Sequence, residues 1–463
     1  MIPLLDQDNP YRSGLPEQLR LSWDDFRFHV SPANLQSVGK EADWLVVAYM
    51  AADCNLAEYM FDDLMEMKAV GSDAALHICV LFDGPLLTDS FFARLNRGTK
   101  LSDDIIIRFS ELQTSKQLTL TMALQLAASF PAKRRLLFLS GHGDGWKGAL
   151  LDQDIGLEQY HNQAGRLILP GPGAECDALL HRCQLEAQEQ INKRLNLEES
   201  SSPRGFDILA FDACYMGNIE AVASFVEHAG IMIVSEDQMP GDGYPYERVL
   251  SQLRNNLSQS SPDLAASLVN ETKRFYQSPG APRRKVTQVA LRTERFPAFA
   301  DSFVQLVRGL IPAMTDDAVF RAVCYALEKA WRLGSTGNID LKGFLLKLLD
   351  CSLPAELRGE TKVVLEKWAD MVLVSAVPGQ PDTANGLSIY APPPHQFKTS
   401  YLALSNQLPN GLGLWTWLLG FCTVTTLGAG TPGHPLVQAI QRTMEDMISR
   451  GEYNPAQPDR TVD

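Results

Sequence analysis

Two stretches decide the fold: Leu136-Leu137-Phe138-Leu139-Ser140-Gly141-His142-Gly143 and Phe206-Asp207-Ile208-Leu209-Ala210-Phe211-Asp212-Ala213-Cys214. Each is a short apolar run that reads as a buried strand and stops at a residue suited to nucleophilic chemistry. In a parallel sheet the carboxyl ends of neighbouring strands share one rim, so a histidine and a cysteine far apart in sequence are brought face to face. A thiol with an ordinary pKa near about 8.5 is only slightly ionised at neutral pH, and an adjacent imidazole takes its proton or holds the thiolate. Gly143 removes side-chain bulk beside His142, and the backbone N–H groups of Gly143 and Cys214 are candidate donors to an oxyanion. On spacing alone, a turn histidine and a buried strand-end thiol fit these two positions equally well.

Working outward, Trp44 to Met50 is a continuous apolar strand, and Asn55 is placed to cap a helix whose Leu56, Tyr59, Met60, Leu64 and Met67 recur at helical spacing. That Met-rich stripe reads as core. Leu76 to Phe82 and Ile105 to Phe109 follow as strands, Thr119 to Phe130 as a helix closed by Pro131, Asn218 to His228 as a helix, and Ile231 to Val234 as a further buried strand. This alternation predicts an α/β fold, a mostly parallel sheet with helices on both faces. Residues 1–40 read as an irregular arm, 41–280 as the core, 281–426 as C-terminal strands and helices, and 427–463 as a tail. The C-terminal helices are expected over Phe296 to Leu310, Asp316 to Leu333, Leu341 to Leu349 and Ala355 to Met371, with strands at Lys285 to Leu291, Met371 to Val377 and Gly386 to Tyr390.

Composition bounds the function. The 463 residues are 45% hydrophobic and carry a formal net charge of −14. Such acidity argues against a nucleic-acid partner, whose phosphates need Lys and Arg, and suits a cationic substrate. The N-terminus, Met1 to Asp8, has no basic leader or long apolar run. The longest apolar patch, Leu414 to Val424, is shorter than the roughly 20 residues that cross a bilayer. The expectation is therefore a cytoplasmic protein without a membrane partner, its eight cysteines reduced. Cys176, His181 and Cys183 lack a fourth donor for zinc, and no metal site is expected from spacing.

The segment between the two strand ends, residues 152–205, is longer than an ordinary connection and ends in a polar run through Ser200 to Gly205 of the kind that is readily nicked. Asp212 lies two residues before Cys214, on the same strand face. Asp242, in the Pro240-Gly241-Asp242-Gly243 turn after the next strand, reaches the same rim, and Asp144 follows His142-Gly143. A pocket for a cation needs such carboxylates.

The text around the pair resembles the clostripain family, peptidase family C11 of the clan CD cysteine peptidases. Four ordered blocks carry the likeness: Trp44 to Asp53, Ser140 to Trp146, Phe211 to Gly217 and Ser235 to Tyr244, with a fifth at Gly386 to Tyr390. The resemblance implies a caspase-like sheet with a helical C-terminal subdomain, and a cysteine endopeptidase that uses His142 and Cys214. It implies cleavage of peptide or protein substrates after Arg or Lys, with a substrate-pocket acid at Asp242. It also implies maturation by self-cleavage between the His and Cys strands after a basic residue, for which Arg204 and Arg166 are the candidates. Some members require calcium. The alternative is a caspase-like interaction scaffold with weak or no peptidase activity; acyl transfer by the same pair is a third reading. The oligomeric state is open.

Overall fold

Three hydrophobic runs read as strands, Trp44 to Met50, Leu136 to Leu139 and Phe206 to Phe211, lie side by side in the middle of a ten-stranded sheet. A computed structural model of the chain describes residues 29–30, 41–86, 89–109, 112, 114, 117–128, 130–150, 205–279, 285–377, 384–404, 408–430 and 434–449. These divide into two units, one of residues 1–294, 370–380 and 384–388, the other of 295–369, 381–383 and 389–463.

In the first unit the elements are β1 (His29–Val30), β2 (Ala42–Ala51), α1 (Ala57–Val70), β3 (Leu76–Asp83), β4 (Ser90–Arg94), β5 (Ile105–Phe109), α2 (Gln117–Ala127), β6 (Ala132–Ser140), β7 (Phe206–Asp212), β8 (Ala229–Ser235), α3 (Tyr246–Asn255), α4 (Ser261–Gln277), β9 (Gln288–Arg292) and β10 (Val372–Ser375). Their order across the sheet is β1-β5-β4-β3-β2-β6-β7-β8-β9-β10. The central five, β3-β2-β6-β7-β8, are parallel, and both flanks are antiparallel. The mostly parallel sheet is as expected; the antiparallel β4 was not read from the sequence.

Both faces of the parallel strands are buried, which is why they are apolar without alternation. Trp44, Val46, Ala48 and Met50 of β2 join Leu136, Phe138, Ile208, Ala210, Ile231 and Ile233 in one cluster with the inner faces of α1, α3 and α4. Leu45, Val47 and Tyr49, on the opposite face, are equally buried. Of the Met-rich stripe, Met60, Leu64 and Met67 are core residues and Tyr59 is exposed. Asn55 does not cap α1: the flanking residue is Leu56, with no side-chain cap. After β7 only Ile219–Ala223 is helical, capped by Asn218, whose side chain accepts from the Ala221 N–H; the longer helix expected through His228 is not formed.

The second unit is mainly helical: α5 (Phe296–Ala313), α6 (Asp317–Lys329), α7 (Leu341–Asp350), α8 (Ala355–Met371), α9 (Gly413–Gly430) and α10 (Pro435–Ser449). Asp316 and Asp340 cap α6 and α7. Trp415 of α9 is its anchor, packed by Phe303 and Phe344, with its indole N–H donating to the Tyr390 carbonyl at 2.9 Å. The apolar segment here is longer than Leu414 to Val424: Pro409–Gly428 is long and apolar enough by length and composition to cross a membrane. However, 56% of it is buried inside the protein, as in a core helix. Within 427–463, Pro435–Ser449 is a helix with Ile440 fully buried.

Candidate active site

Register brings the two strand ends together. In the parallel pairing of β6 with β7, Ser140 lies opposite Asp212 and the Gly141 N–H donates to the Asp212 carbonyl at 3.1 Å. His142 and Cys214 therefore leave the sheet side by side, each two residues past that pair. Gly143 packs directly on the backbone of Cys214: a Cβ at 143 would lie 2.3 Å from the Cys214 carbonyl oxygen and 3.2 Å from its nitrogen. A side chain there is sterically barred. Among the described residues, no backbone carbonyl engages the N–H of Gly143 or of Cys214. Tyr215, next in the chain, sits at φ 61, a left-handed conformation for a bulky residue.

The thiol and the imidazole are each half-buried, and no hydrogen bond joins them. Cys214 Sγ instead donates to the Met239 carbonyl at 3.8 Å. Burial raises the Cys214 thiol above its ordinary pKa, and the carboxylates of Asp212, Asp237 and Asp144 raise it further. Burial lowers the His142 imidazole. Both shifts favour the uncharged forms, a thiol and a neutral imidazole.

Asn55, which the sequence reading assigned to helix capping, contacts the histidine: its Oδ1 lies 2.7 Å from His142 Nε2. With the amide oxygen accepting, the ring proton sits on Nε2 and the lone pair on Nδ1. Asn55 follows the carboxyl end of β2, the strand paired with β6, so its neighbourhood with His142 is a consequence of strand order that no local sequence pattern displays.

Asp212 is buried on the same sheet face as the cluster against which Cys214 packs. The Tyr246 hydroxyl donates to its Oδ2 at 2.8 Å, yet burial outweighs that bond and raises the carboxyl to about 6. Asp242, half-exposed, immediately precedes Gly243, at φ +52, whose Cβ position lies 2.6 Å from Asp212 Oδ2 and 2.8 Å from Asp63 Oδ2. Asp63, on α1, is a third acid at this place that the sequence reading passed over. Asp144 is turned to its own loop, where Lys147 pairs with it at 2.7 Å. Arg166 and Arg204, with the zinc-like trio Cys176, His181 and Cys183, lie outside the described residues.

Among the described residues, no group of three or more His, Cys, Asp and Glu side chains is placed to hold a metal ion.

The model of the clostripain family, Peptidase_C11, matches residues 48–163 and 185–333. The chain is similar in structure to a secreted C11 cysteine protease from Bacteroides thetaiotaomicron in complex with an irreversible peptide inhibitor, at 18% identity and a TM-score of 0.56, over 81% of this chain and 99% of that one. It is also similar to an inactive zymogen C11 protease from Parabacteroides distasonis, at 18% identity and a TM-score of 0.52, over 82% and 96% of the two chains. Among curated protein sequences none matches.

Proposed function

Because the chain belongs to the clostripain family and is a cysteine-type peptidase, we propose that it cleaves peptide bonds after basic residues, with Cys214 as nucleophile and His142 as general base and acid. The observation that carries the reading is the convergence, at the paired ends of β6 and β7, of His142, Cys214 and the buried carboxylate Asp212.

In the step proposed, neutral His142 accepts the thiol proton as Sγ bonds to the scissile carbonyl carbon, and the carbonyl electron pair moves to oxygen. The N–H groups of Gly143 and Cys214 stabilise that oxyanion, a contribution of about 3 kcal/mol per donor. Collapse of the intermediate breaks the C–N bond, and the imidazolium gives its proton to the leaving amine. Water then attacks the thioester, with His142 taking its proton and returning it to sulfur as the C–S bond breaks. Asn55 is a positioning residue that holds the imidazole through Nε2. The starting protonation states support this order: a neutral base and a protonated nucleophile must exchange a proton during attack, and an apo pair closes its hydrogen bond when substrate arrives.

Asp212 and Asp242 are the proposed contacts to the cationic side chain before the cut, and Asp144, occupied by Lys147, contributes field only. A relative described as an inactive zymogen supports self-cleavage as the maturation step, with Arg204 and Arg166 the proposed sites. The test is hydrolysis of matched fluorogenic peptides ending in Arg, Lys, Asp or Leu by wild type and Cys214→Ala, with intact mass followed. Cleavage after Arg or Lys that disappears in the variant sustains the reading. Cleavage after Asp or Leu alone overturns the specificity, and equal activity of the Cys214→Ala protein overturns the nucleophile.

A further inference from the structure

Asp63 is 4% exposed, and no donor or cation among the described residues reaches its carboxylate. It sits on the core stripe of α1, three residues after Met60 and four before Met67, both buried, where helical packing calls for an apolar side chain. A carboxylate in such a place is costly unless a proton or a cation neutralises it. Its Oδ2 and that of Asp212 come within 2.8 Å and 2.6 Å of one point beside the Gly243 backbone, and Asp242 is the residue before. Asp63 of α1 and Asp212 of β7, the acid two residues before Cys214, thus converge on one point, Asp242 adds its charge to Asp63 from the neighbouring loop, and no described cation lies among them.

We propose that Asp63 is a specificity-determining residue of this chain: with Asp212 and Asp242 it forms a carboxylate cup that takes the guanidinium of an arginine before the scissile bond in preference to the ammonium of a lysine. The inference rests on the basic-residue reading above and deepens it. A guanidinium is planar, offers five N–H donors along separate edges, and is weakly hydrated, so it can meet acids approaching from α1 and from β7 at once. An ammonium is a compact, strongly hydrated point charge that serves one carboxylate well and loses more on entering a buried site.

The charges facing Asp63 are Asp62 and Glu66 on α1, Asp212 on β7 and Asp242 in the loop before α3, and the hydroxyls nearby are those of Tyr246 and Tyr276. Burial first, and then Asp212, hold the Asp63 carboxyl well above the ordinary carboxylate range, consistent with an acid that retains a proton and gives it up to an entering cation.

The test compares full-length wild type with Asp63→Asn on peptides that differ only at the residue before the cut: arginine, lysine, or citrulline, the neutral isostere of arginine. Loss of one charge-assisted partner should raise KM for the arginine peptide by about 10- to 100-fold. The lysine peptide should suffer less, the citrulline peptide little, and kcat should change little on all three. A second readout needs no catalysis: agmatine, which carries the arginine side chain's guanidinium, should raise the melting temperature of Cys214→Ala protein and fail to do so once Asp63→Asn is added. If wild type cleaves after arginine and the Asp63→Asn protein shows an unchanged KM and an unchanged agmatine response, Asp63 is not part of the cup while the basic-residue reading stands. Wild type that cleaves only after neutral or acidic residues and ignores agmatine overturns both.

Discussion

Helix α1 carries two buried charged sites five residues apart, and they are built in opposite ways. Lys68 pairs with Asp104 at 2.6 Å, both side chains almost wholly buried. Around them the Asn96 N–H donates to Asp104 Oδ2 at 2.8 Å, the Thr99 hydroxyl donates to Oδ1 at 2.7 Å, and Lys68 also donates to Thr99 and to the Asn96 carbonyl. Every strong valence is used within the protein. Asp63 is as deeply buried, yet its neighbours are other acids. The difference separates a charge that serves the fold from a charge held ready for something outside it: the first site is complete, and the second is stable only when a proton or a ligand completes it.

The largest effect that would test this contrast lies at the completed site. Asp104→Asn leaves the Lys68 ammonium buried without its counter-charge and should cost about 3–5 kcal/mol of unfolding free energy. Urea denaturation measures it. A cost below 1 kcal/mol would mean that the pair is solvated and the contrast false.

Next in size is Gly243→Ala. Gly243 adopts φ +52 and a methyl there meets the oxygens of both Asp212 and Asp63, so the variant should lose about 1–2 kcal/mol of stability. Its KM for arginine peptides should rise by an order of magnitude or so, since the methyl enters the cup. Unchanged KM with lowered stability would remove the cup from the substrate's path.

Similar in size and opposite in sign is the stability effect of Asp63→Asn. Asp63 and Asp212 have carboxyls raised on folding, Asp212 to about 6, so the native state holds protons that the unfolded chain has released. Stability then falls as pH rises from the unfolded value near about 3.9 up through the folded ones. Asparagine removes that loss. The variant should melt above wild type at pH 8 by about 1–3 kcal/mol of stability, and the advantage should vanish below about pH 4, where both states are protonated. A variant less stable than wild type at pH 8 would show that Asp63 has a partner in the fold.

Much of this was legible in the sequence because burial on both faces leaves a continuous apolar run, and β2, β6 and β7 are such runs. The meeting of the strand ends that carry His142 and Cys214 followed from them, since parallel strands align their carboxyl ends. The short antiparallel β4, Ser90 to Arg94, carries no such length. Asp63 was hidden by its setting: Met60, Leu64 and Met67 read as a core stripe, and an acid at 63 on the same face was the signal of conflict between pattern and chemistry that marks functional positions. Asn55 was masked by an equally good local explanation, helix capping, which only tertiary structure overrules.

Asn55 offers the finest probe of the contrast, because among the described residues its side chain's hydrogen bond is to the histidine. Asn55→Ala should lower kcat by about 10-fold and leave KM nearly unchanged, since a loose imidazole mistimes the proton and leaves substrate binding alone. Asn55→Asp separates positioning from simple support. It keeps an acceptor on Nε2 but adds a negative charge, which favours imidazolium and raises the His142 pKa. Burial now holds that pKa below its ordinary value, so the acid limb of kcat/KM should move to higher pH in the variant. The comparison must be made on the citrulline peptide, where the cup's own titration is silent. An acid limb that stays in place, with kcat lowered equally by Ala and Asp, would reduce Asn55 to packing and leave His142 oriented by the backbone of its turn alone.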